Sequence, residues 1–102
     1  MKVSDLLDHA ATLARDSKSV VIVASGPSQR EVLRNGLRRR LDDIERERVR
    51  LVTSVADARG MSFHEFLLTE EADRLASRDD RDWVAAAQLH PRLPVDHVQA
   101  QS

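Results

Sequence analysis

The stretch FLLTEEADRL, residues 66–75, decides the fold of this chain. Three apolar residues and a threonine run into two carboxylates, then into Ala72, Asp73, Arg74 and Leu75. Read as a strand over 64–69, the segment carries Glu70 and Glu71 to the carboxyl end of a sheet. Read as a helix over 60–76, it is one charged amphipathic segment. Ser62 and Glu65 have the spacing of a capping box, and Phe63, Phe66, Leu67 and Leu75 follow a partial helical stripe.

The rest of the chain favours the strand. SVVIVAS, residues 19–25, is β-branched and wholly apolar at its centre, as in a strand covered on both faces of a parallel sheet. Upstream, Leu6, Leu7, Ala10, Leu13 and Ala14 recur at helical spacing, which predicts a helix over 5–15 with Ser4 as its N-cap. Gly26 and Pro27 stop the strand. Ser28 and Glu31 then have capping-box spacing, and Leu33, Leu37, Leu41 and Ile44 extend a predicted helix over 28–43. RVRLVTS predicts a second strand over 48–54, Gly60 a turn, and Ser77 with Asp80 the cap of a last helix ending before Pro91. The order is helix, strand, helix, strand, strand, helix. It predicts a small three-layer α/β domain over 1–90, with a short, mostly parallel three-stranded sheet flanked by helices. A loosely held tail is expected over 91–102. Residues 55–63 must supply the crossover between the last two strands, at the lower limit of length for one.

Composition narrows the function classes. At 102 residues, 41% hydrophobic and 32% charged, the chain is globular rather than disordered. It has no cysteine, which excludes disulfides and thiolate metal sites. VVIVA is too short to span a bilayer, and MKVSDLLDHA has two acids and no long apolar core, unlike a secretory signal. A cytoplasmic location is expected, and no membrane partner. Net charge is −1, against nucleic-acid binding driven by bulk charge. The charge is uneven, however. Residues 28–50 hold eight arginines and five acids, whereas 51–82 hold four arginines and eight acids.

Taken in order, the segments resemble the RecA-like P-loop core of DEAD-box-type helicases and large terminases, from just after the phosphate loop onward. KVSDLLDHAATLARDSKSVVIVAS is similar to the helix after that loop and the next strand, and SGPSQREVLRNGLRRRL to the following loop and helix. VRLVTSVADARG resembles the next strand with its Thr and Arg-Gly turn. MSFHEFLLTEEADRLA resembles the strand that ends in the Walker B motif. The resemblance puts Glu70 in the place of the metal-binding Asp and Glu71 in that of the water-orienting Glu, with Ala72 and Asp73 matching directly. The glycine-rich loop is missing. Gly26, Gly36 and Gly60 form no G-x-x-x-x-G-K-[ST], so no cradle holds a γ-phosphate. The resemblance therefore implies a P-loop-like remnant with a degenerate Walker B strand. The expected role is non-catalytic binding or regulation, in the manner of a phage or mobile-element accessory protein in the host cytoplasm. No catalytic residue and no cofactor are expected.

Several sites remain candidates. Glu70 and Glu71 could hold a divalent cation through oxygen ligands. Arg34, Arg38, Arg39 and Arg40, with Arg46, Arg48 and Arg50 beyond them, could meet nucleic acid or a partner, against a solvated face with local pairs such as Arg38 to Asp42. His9, His64, His90 and His97 have no metal-ligand spacing. Ser54, Asp57 and His64 have no nucleophile-elbow context. SRDDRD, residues 77–82, reads as an acidic helix start rather than a cation chelate. Trp83 is expected to anchor the last helix. The expected partners are a protein, a second copy of this chain included, reached through a free sheet edge, and nucleic acid weakly and without sequence preference. Two alternative functions stand beside this one. One is a small DNA-binding regulator of ribbon-helix-helix type or using the arginine face. The other is a nucleotide binder completed by a partner's phosphate loop.

Overall fold

The computed structural model describes residues 2–89; the expected tail over 91–102 lies outside them. Helix α1 (Val3–Arg15) leads into β1 (Val20–Val23), α2 (Pro27–Arg38) and the single turn α3 (Asp43–Arg46). Strand β2 (Val49–Val52), the single turn α4 (Val55–Ala58), β3 (Glu65–Leu68), α5 (Glu70–Leu75) and α6 (Arg78–Leu89) follow. The sheet order is β2-β1-β3 and both pairings are parallel. The expected three-layer α/β architecture is what forms, with a sheet that is wholly parallel.

Alternation along the strands sorts the core into two layers. Val20, Ile22, Val49 and Leu67 face α1 and α2. Val21, Val23, Val52, Phe66 and Leu68 face the layer of α4 and α6. Every residue of β1 is buried, as a central strand with helices on both faces requires. On the second face Phe66 packs on Phe63, with ring centroids 5.5 Å apart, and edge-on to Trp83 at 5.4 Å. Arg59 lies over the Trp83 ring and pairs with Asp80, which holds the α4 turn against α6. The β2-to-β3 crossover is short but sufficient, because Val55, Ala58 and Phe63 bury as it passes over β1. On the first face Gly36 lets α2 approach α1; a Cβ there would stand 2.5 Å from a Leu7 methyl.

The helix reading of 60–76, and with it the ribbon-helix-helix alternative, is corrected. Residues 65–68 are a strand paired with β1, because Phe66 and Leu68 bury into one layer while Leu67 packs against the other. Four smaller expectations also change. Helix α1 starts at Val3, with Lys2 rather than Ser4 at the N-cap position. Helix α2 starts at Pro27, whose fixed φ and missing N–H suit a first helical position, so Ser28 and Glu31 form no box. The helix expected over 28–43 ends at Arg38. The chain turns at Arg39 and Arg40, and Asp42 begins a new turn through a complete capping box with Glu45. Asp42 therefore does not pair with Arg38, and Ile44 is 66% exposed rather than part of the apolar stripe. The Ser77 cap of the last helix is present, its hydroxyl accepting from the Asp80 amide at 3.1 Å.

Candidate functional site

In a sheet of order β2-β1-β3, the chain leaves β1 for α2 on one face and leaves β3 for α5 on the other. Ligands of open α/β sheets bind where such connections diverge, beyond the carboxyl ends of the strands. Here that position is closed by the chain itself. The Gln29 Oε1 accepts from the Ser25 amide at 2.7 Å and from the Thr69 hydroxyl at 2.8 Å. Thr69 is 1% exposed, and its Oγ1 also accepts from the Ala72 amide at 3.1 Å, capping α5. A hydroxyl at the end of an apolar strand is thereby explained: it ties the two diverging loops together. The remaining crevice, between Ser25, Ser54 and Ala76, measures about 110 Å³. Small-molecule pockets are typically about 300–1,000 Å³.

Glu70 and Glu71 lie in the first turn of α5, both exposed. Glu70 is engaged by other groups of the chain. No group of three His, Asp or Glu side chains gathers for a metal ion among the described residues. Ser54, Asp57 and His64 are not brought together as a triad. Ser54 caps α4 at the carboxyl end of the sheet. His64 lies at the amino end, where its Nδ1 accepts from the Ser19 amide at 3.1 Å and its own amide donates to the Ser19 hydroxyl.

The four arginines expected to act as one face divide into two pairs. Arg40 pairs with Asp8 at 2.8 Å and donates to the Gly36 carbonyl, and Arg39 lines the same side against α1. Arg34 and Arg38 instead overhang the β2 edge. There they meet Arg46 from α3 and Arg50 from β2 around a cleft of about 400 Å³, floored by Leu37 and Val49. Arg30 turns inward, its Nε buried without a hydrogen-bond partner among the described residues.

The two edges follow from the hydrogen-bond ladders. Carbonyls of Arg48 and Val52 accept from Val20 and Ala24, so the main-chain groups of Val49 and Leu51 point away from the sheet. Amides of Glu65 and Thr69 donate to Ser19 and Val23, so those of Phe66 and Leu68 point away on the opposite edge. The β3 edge opens into a groove of about 480 Å³ between Leu6 of α1 and Val84 and Ala85 of α6, lined also by Glu70, Asp73 and Arg81. Sequence reasoning missed this groove, since its walls come from opposite ends of the chain.

Compared with protein families, curated proteins and solved structures, the chain matches none. Among the described residues no helix is long and apolar enough to cross a membrane.

Proposed function

We propose that this chain is a non-catalytic binding protein on a P-loop-ATPase-like scaffold, and that it captures an extended segment of a partner protein along the β3 edge. The observation that carries this reading is the groove beside β3, where the outward-facing groups of Phe66 and Leu68 lie between Leu6 on one side and Val84 and Ala85 on the other. An added strand would pair with those groups and set alternate side chains against Leu6 on one face and Val84 on the other. Asp73, beyond the carboxyl end of β3 and within a region of acidic balance, favours a segment that is apolar at successive positions, so that both faces are met, and carries Lys or Arg at one end. The closed position between Gln29 and Thr69 supports a role without turnover, as does the lack of a glycine-rich loop.

A random peptide library selected on the immobilised protein, with counter-selection on Ala85→Arg, tests this. Ala85 is exposed on α6, and an arginine there fills the groove without touching the core. Selected peptides should carry a run of apolar residues, end in a basic residue and shift the Phe66 and Leu68 amides. Peptides that bind wild type and Ala85→Arg equally would overturn the reading. Light scattering reports the other occupant: a dimer abolished by Ala85→Arg would replace the partner with a second copy of the chain.

A further inference from the structure

We propose that the cleft on the β2 edge is a binding site for a compact di- or triphosphate group. Arg34 and Arg38 reach it from α2, Arg46 from α3 and Arg50 from β2. Arginines contributed by three elements line one cleft, with Arg50 at its border on the strand, and supply forked donors suited to the several oxygens of a polyphosphate. The groups are available. The Arg50 side chain makes no hydrogen bond or ion pair with other described residues, and that of Arg38 makes only a long contact of 3.4 Å to Asn35. Arg34 pairs with Glu31 and Arg46 with Asp43, but both pairs are exposed and three residues apart on one helix, the kind that contributes little. The outward-facing amide of Leu51 adds a main-chain donor beside Arg50.

The size and surroundings of the cleft favour a compact ligand over a nucleic-acid strand. Its four arginines gather round one cavity rather than following a track. No aromatic side chain lines it to stack a base, so recognition rests on the phosphates.

Calorimetric titration of the full chain with inorganic triphosphate, with ATP and with a single-stranded oligonucleotide tests the site. The expected result is saturable binding of triphosphate that weakens with added salt. ATP should bind about as well, since the base has no partner. Arg38→Ala with Arg50→Ala should weaken both by about tenfold or more. Arg39→Ala with Arg78→Ala, which removes the same charge elsewhere, should change neither. If the first pair does not fold, Arg50→Gln alone, at an exposed strand position, should still show a loss. Equal losses in the two double variants would reduce the effect to bulk charge and overturn the proposal. So would an absence of saturation. Tighter binding of the oligonucleotide than of triphosphate would overturn it in favour of a nucleic-acid surface.

Discussion

Along β2, the outward-facing groups of Val49 and Leu51 lie beneath Arg34, Arg38, Arg46 and Arg50. Along β3, those of Phe66 and Leu68 lie between Leu6, Val84 and Ala85, with Glu70, Asp73 and Arg81 also lining the groove. Both edges expose the same unpaired backbone, which invites pairing with another chain. Charged side chains crowding an edge are a common defence against that. The β2 edge has the defence along its length, whereas at β3 the charged residues Glu70, Asp73 and Arg81 come from α5 and α6 rather than from the strand's own flanks. The two sides of the sheet thus differ in how they guard the same backbone, and the proposed docking by strand addition is placed on the less guarded one.

The largest expected effect comes from removing the ring that anchors the receptive edge. Phe66 is 2% exposed and packs on both Phe63 and Trp83. Phe66→Ala should cost about 3–5 kcal/mol in denaturant unfolding. The half-buried Leu51 on the protected edge should lose only about 1–2 kcal/mol as Leu51→Ala. Equal losses would mean that the two edges are anchored alike. Next comes the tie between the strand ends. Thr69→Val removes the α5 cap and the donor to Gln29, and should cost about 1–2 kcal/mol by thermal or chemical unfolding.

A smaller effect, of opposite sign, is expected where α1 ends. Ser17 has φ 61°, its amide donates to Ala14, and the Lys18 amide donates to Leu13. This is the Schellman arrangement with serine in the position that glycine usually takes. Ser17→Gly relieves the left-handed strain but loosens the unfolded chain, so a net gain of about 0.5 kcal/mol is expected in unfolding experiments. Smallest in stability, though not in behaviour, is Arg50→Val. It should leave the unfolding midpoint within about 0.5 kcal/mol of wild type while increasing self-association at high concentration. An unchanged sedimentation profile would show that the β2 edge does not depend on this arginine for its protection.

The elements whose signal is local were legible in the sequence. β1 showed as an unbroken β-branched run, and β3 as an apolar triplet ending at Thr69 before a charged turn. The end of α2 was misread because Leu37, Leu41 and Ile44 keep helical spacing past the turn. The signal that overrides them is the D-x-x-E pattern of Asp42 and Glu45, which forms the capping box. The candidate sites were less legible. Four arginines close in sequence suggested one face, but the turn after Arg38 sends Arg39 and Arg40 toward α1. Arg46 and Arg50, which complete the β2 cleft, lie on other elements. The Gln29 tie and the β3 groove depend on residues about 40 or more positions apart, such as Gln29 with Thr69 and Leu6 with Val84. No periodicity along the chain encodes such pairs.

Residue-resolved amide hydrogen exchange, with and without a synthetic peptide of successive valines ending in lysines, tests the receptive edge most directly. In the free protein the amides of Leu67 and Thr69 should be protected, while those of Phe66 and Leu68 exchange rapidly. Adding the peptide should slow exchange at Phe66 and Leu68 and leave Val49 and Leu51 unchanged. Protection appearing at Val49 and Leu51 instead, or Phe66 and Leu68 already protected in the free monomer, would contradict the account.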